Sequence, residues 1–129
     1  MTSERDLQLR SIRQVIDLEN LQSLDVERFQ NDTLRPVLKF QNSIVLAQFK
    51  KYLEKFKPQF NVYNQSVQKN YIEDVMKRDS RIKNSLIACV VSMMTLEEYE
   101  FYCGNKNELN KRIVSMIIER LKDQLVMLY

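Results

Sequence analysis

Ile82-Lys-Asn-Ser-Leu-Ile-Ala-Cys-Val-Val-Ser-Met-Met94 is the stretch that decides the fold. At about 100° per residue, Ile82, Leu86, Ile87, Cys89, Val90, Val91, Met93 and Met94 cover most of a helical wheel. A helix apolar around most of its circumference belongs in an interior. Residues 82–94 are therefore expected to be a buried central helix, with the other helices wrapped around it. The β-branched residues admit a strand, but length and the lack of Gly or Pro favour helix. Ser85, Ala88 and Ser92 form a narrow stripe of small side chains on the remaining arc. It is either a tight helix–helix seam or the solvent-facing edge of a partly exposed helix. A spanning helix needs about 20 predominantly apolar residues. Arg81 and Lys83 at one end and Glu97 and Glu98 at the other leave too short an interval, so no membrane association is expected.

The composition of the remaining chain points the same way. Only one glycine and two prolines occur in 129 residues, whereas β folds need turn residues at every hairpin. The expected class is all-α, a single-domain bundle of about five helices. Twenty basic residues face seventeen acidic ones, net +3 and interspersed, which gives no electrostatic footprint for nucleic acid. A helix-turn-helix over 67–94 would lack a polar recognition face, because its second helix is the most apolar in the chain. Lys50, Lys51, Lys55 and Lys57 form the densest basic cluster and read as the solvated face of one helix. Two cysteines, Cys89 and Cys103, are too few for a disulfide framework. The start has no apolar secretory region. Free thiols and a cytoplasmic location are expected.

Residues 1–24 read as an N-terminal arm, either weakly helical, with Leu9, Ile12, Val15 and Ile16 on one face, or disordered and ordering only against a partner. The helical domain is expected over 25–129. A stripe from Leu34 to Phe56 is interrupted by Pro36, which implies a kink or a new helix beginning there with Asp32 or Thr33 as cap. Lys57-Pro58 ends that helix. Ser66 is the expected cap of the next, and Asp79 or Ser80 that of the central helix. Thr95-Leu-Glu-Glu98 is a capping box, opening a short helix that ends at Cys103 with Gly104 beyond it as the left-handed stop. Asn107 is expected to cap a last helix over 108–127, whose wide apolar face runs on to Leu125 and Leu128.

Catalytic chemistry finds little to work with. The chain has no histidine, the commonest general base and metal ligand near neutral pH. Its cysteines are not in Cys-x-x-Cys spacing, and no phosphate-cradling or nucleophile-elbow motif exists. No catalytic residue, metal or cofactor is expected. One pattern stands out: Phe29-Gln30-Asn31 recurs as Phe40-Gln41-Asn42, three helical turns on. On a continuous helix Asn31, Arg35 and Asn42 fall beside Leu38 and Phe49, on the apolar side. Such groups, once buried, need partners or a ligand. They suggest either a structural network or a small polar pocket with Arg35 as an anion anchor.

The run from Phe29 to Asn42, together with Thr95-Leu-Glu-Glu-Tyr99, resembles a family of short all-helical bacterial proteins of unknown function, some of which carry a glyoxalase-related label. The similarity spans roughly residues 25–127. It implies a helical fold and transfers no catalytic residue, since glyoxalase I sites use His and Glu ligands on a βαβββ scaffold. The functional expectation is a non-catalytic interaction or oligomerisation module, a homodimer joined through the Ser85/Ala88/Ser92 seam or the apolar end with Leu125 and Leu128. The alternative is a binder of small anions through Asn31, Arg35 and Asn42.

Overall fold

The computed structural model describes residues 3–15 and 25–129. Helix α1 spans Glu4–Ile12 and is capped by Ser3, whose hydroxyl accepts from the Asp6 amide. Helix α2, Val26–Phe29, is capped by Asp25. It passes through one π turn, Gln30–Leu34, directly into α3, Arg35–Phe56. Helices α4 (Gln65–Arg78), α5 (Ser80–Val91), α6 (Leu96–Gly104) and α7 (Lys106–Asp123) follow, and a 3-10 turn, Leu125–Leu128, closes the chain. Among the described residues all regular structure is helical, and none of these helices is long and apolar enough to cross a membrane.

The helical backbone runs unbroken through Pro36, which stands in the first turn of α3, close to the helix start expected there. Proline lacks an amide hydrogen and its ring crowds the carbonyl four residues back. The widened π turn relieves both problems, with the Arg35 amide donating to the Gln30 carbonyl five residues earlier. A π turn inserts roughly one residue into the helical register and so rotates everything downstream by about 100°. This separates the two Phe-Gln-Asn triplets. Phe29 is fully buried while Phe40 is 48 % exposed.

Helix starts follow local chemistry, with small shifts. Asn64 rather than Ser66 caps α4. Asp79 caps α5, and the Thr95–Glu98 capping box is complete in both directions. Gly104 stays inside α6, since no glycine has positive φ. Helix α7 begins at Lys106, with Asn105 at the cap position and no side-chain bond there.

The interior is built mainly by α7 and α3. Leu109, Ile113, Ile117 and Leu121 recur at helical spacing on α7 and are all completely buried, against Val37, Leu38, Val45 and Phe49 of α3. Burial of each such side chain contributes about 1.5–3 kcal/mol. Helix α4 adds Ile72 and Met76, and α5 adds Leu86 and Val90. Helix α5 touches α3, α4 and α7, but it does not lie at the centre with its whole circumference covered. It stops at Val91 and buries one face, leaving Asn84, Ser85, Ala88 and Ser92 exposed and Cys89, Val91 and Met93 half-buried. The small-residue stripe is thus an outward edge of the chain. Leu125 and Leu128 turn inward onto α3 and join the core, while Val126, Met127 and Tyr129 face outward.

The N-terminal arm docks on the corner between α5 and α6, and it does so almost entirely through polar groups. Arg5 donates to the carbonyls of Ser92 and Met94, and Arg13 Nε donates to that of Met93 at 2.8 Å. The three carbonyls just beyond the end of α5, those of Ser92, Met93 and Met94, are therefore all taken up by guanidinium groups, a favourable placement for cations. Asp6 does the reverse at the start of α6, accepting from the Leu96 amide at 3.2 Å. Arg13 also pairs with Glu98, and both side chains are essentially inaccessible to solvent. Glu98 holds the Thr95 amide with the same carboxylate and receives the Thr33 hydroxyl at 3.2 Å. The π turn, which contains Thr33, thereby reaches the corner. Among the arm's described residues Leu9 is the one buried apolar side chain, and Ile12 is exposed. Ile16 and the remainder of 16–24 lie outside the described residues.

Candidate functional site

Arg35 and Asn42 meet in one cleft between α3 and α7. It encloses about 600 Å³ and is completed by Gln30, Ser115, Met116, Glu119, Arg120, Asp123 and Gln124. Asn31 does not line it. Its side-chain oxygen instead accepts from Arg35 Nε at 2.9 Å, one helical turn apart. The apolar-side placement expected for these three residues does not hold, since Asn31 and Arg35 are exposed and Asn42 is half-buried. The π turn breaks the 3.6-residue period only upstream of α3 and so re-aims Asn31, whereas Arg35 and Asn42 share the unbroken α3 with Leu38 and Phe49 and stand at the edge of its buried face.

Asn42 and Gln124 exchange amide hydrogen bonds, both at 2.9 Å, and Arg120 Nη1 donates to Asn42 Oδ1 at 3.2 Å. Arg120 is thereby held on the cleft wall. Burial, and then the nearby Arg35 guanidinium, push its pKa below the ordinary arginine value. At the upper end Arg112 reaches Gln30 at 2.8 Å while pairing with Glu108. The sequence offered a signal for Asn42 in the repeated triplet and for Arg35 in its helical phase with it. It offered none for Arg120, which follows α7's apolar stripe as an unremarkable charge.

A second concavity lies on the other side of α3, against α5. It measures about 760 Å³ and has Ile44, Ala47, Phe56 and Ile82 as apolar lining, with Lys51, Lys55 and Arg81 among its charged residues. Gln41 donates to the Cys89 carbonyl, and Ser85 donates to Gln48 at 2.8 Å. These two cross-links run α3 antiparallel to α5. Along this side Phe40, Ile44 and Phe56 are 48 %, 48 % and 54 % exposed. Ser85 lines the groove, and Ala88 and Ser92 continue the same edge of α5. Of the basic cluster, Lys51 and Lys55 are exposed, with Lys51 on Glu54 and Lys55 over the Phe56 ring. Lys57 lies half-buried over Tyr63 and Tyr71.

Tyr52 donates to Asp79 Oδ2 at 2.8 Å at the groove's inner end. Burial first, then this bond, push the Tyr52 hydroxyl up to about 12. The same bond holds the Asp79 carboxyl below its usual range. Cys89 is unbonded to any other cysteine, and burial pushes its thiol up, the opposite of what a nucleophilic thiolate requires. Among the described residues no three His, Cys, Asp or Glu side chains converge to hold a metal ion.

No family model matches this chain, and neither a curated protein nor a solved structure matches it. The resemblance to short helical bacterial proteins therefore rests on the quoted residues alone.

Proposed function

We propose that the protein is a non-catalytic helical interaction module that self-associates through the face shared by α3 and α5. The observation that carries this reading is the row of half-exposed apolar side chains Phe40, Ile44 and Phe56, alongside the small edge Ser85, Ala88 and Ser92. Exposed apolar patches on compact domains mark interaction surfaces. Small side chains on the adjoining helix let a second backbone come close. A two-fold dimer needs one self-complementary patch, and an apolar ridge on α3 beside a shallow edge on α5 supplies both halves of such a contact. Leu125 and Leu128, buried in the chain's own core, take no part in it. A reducing cytoplasmic setting suits the unbonded Cys89 and Cys103.

Native mass spectrometry of the purified chain tests this reading directly. The expected result is a dimer at micromolar concentration that Ile44→Glu converts to monomer without loss of helicity. A parent chain that is monomeric across that range would end the proposal.

A further inference from the structure

Unpaired charges are common on the surface of this chain, but four of them share one concavity. Arg35, Arg120, Glu119 and Asp123 all line the α3–α7 cleft. Among the described residues none of the four lies within 4.0 Å of an opposite charge. Each pair carries an unresolved repulsion. The Arg35 guanidinium disfavours the charged form of Arg120, and Glu119 and Asp123 are like charges one turn apart on α7, a destabilising spacing.

We propose that the cleft binds a small zwitterion, its carboxylate between Arg35 and Arg120 and its ammonium group toward Glu119 and Asp123. Each end of such a ligand relieves one of the two repulsions. A simple anion would meet the carboxylates, and a simple cation the guanidiniums, so discrimination rests on unfavourable as well as favourable contacts. Arg120 is already oriented by Asn42, which in turn is fixed by Gln124, so little ordering remains to oppose binding. The Ser115 hydroxyl adds a neutral hydrogen-bonding group to the wall, and about 600 Å³ falls within the range of small-molecule sites. The site is on the opposite side of α3 from the proposed dimer face, so the two proposals stand or fall separately.

The test is an NMR titration of the isotope-labelled full-length chain with β-alanine, succinate and 1,3-diaminopropane as zwitterion, dianion and dication. Saturable shifts of the Ser115 to Gln124 amides with β-alanine, and much weaker ones with the other two, are expected. Arg35→Met should weaken β-alanine binding by about tenfold or more, the loss of a charge-assisted hydrogen bond, and Asp123→Asn should weaken it too. Arg35 is exposed, so a preserved spectrum elsewhere verifies the fold, and Asp123→Asn provides an independent variant. Succinate binding as tightly as β-alanine would overturn the proposal. So would β-alanine binding that survives both substitutions, or no saturable shift with any of the three.

Discussion

Arg5 and Arg13 at the α5–α6 corner differ from Arg35 and Arg120 at the α3–α7 cleft in what their guanidinium groups meet. At the corner they meet backbone carbonyls and Glu98, and among the described residues no buried side-chain nitrogen or oxygen lacks a partner. In the cleft they meet neutral amides and open volume. The contrast teaches that the residue type alone does not announce a binding site. What matters is whether the fold has already used its hydrogen-bonding capacity. A filled network fixes one arrangement of helices, whereas a partly filled one keeps affinity for something else.

The contrast can be broken most forcefully at Glu98. Glu98→Ala leaves Arg13 without its counter-ion, and removing one partner of a buried pair costs about 3–5 kcal/mol. Urea denaturation should show that loss as a lower midpoint, and a loss well under 1 kcal/mol would mean the corner is no more structural than the cleft. Thr95→Ala removes one half of the capping box and should cost about 1 kcal/mol, read in the same way.

A third prediction concerns the groove. Tyr52 binds its proton more tightly in the folded chain than in the unfolded one, with its pKa pushed up to about 12 from 10.0. Its contribution is therefore complete below pH 10 and is lost as pH rises toward 12. Tyr52→Phe should flatten stability between those values, as measured by denaturation at a series of alkaline pH values. At the acid end the sign reverses. Asp79 is held low chiefly by the same bond, so its contribution is present at neutral pH and fades as the carboxylate protonates. Tyr52→Phe should shrink that loss, because the folded Asp79 carboxyl then titrates nearer its ordinary value. The smallest effect belongs to the cleft, where Arg35→Met should change stability by no more than about 0.5 kcal/mol. A larger destabilisation would assign Arg35 to the scaffold, as at the corner.

Much of the architecture was legible in sequence because its determinants are local. Thr95 and Glu98 announce their helix by spacing, Asp79 caps the helix it precedes, and Leu109, Ile113, Ile117 and Leu121 trace α7's buried face. The all-α class followed from glycine and proline usage. The π turn was not legible, because Pro36 reports a problem in the helix without saying how the backbone solves it. Residues 82–94 overstated their own burial, since half-buried Cys89, Val91 and Met93 count as fully apolar on a wheel. The cleft was half visible through Arg35 and Asn42. Arg120 and Gln124 join it through Asn42 of α3, some eighty positions away in the chain. The corner was the least visible of all. Glu98 had a sufficient local reason to exist, and nothing near Arg13 in sequence names its partner.

The long reach of the arm has a consequence for how the chain is made. Arg5 and Arg13 contact residues 80 to 89 positions downstream, and such non-local closures come late because their entropic cost precedes their reward. During synthesis the arm emerges well before its partners, because Glu98 and the carbonyls at 92–94 are joined some eighty residues later. Until then Arg13 is a solvated cation on a short helix with little apolar surface of its own. A segment that leaves the ribosome ahead of its partners is thus among the last to find its place.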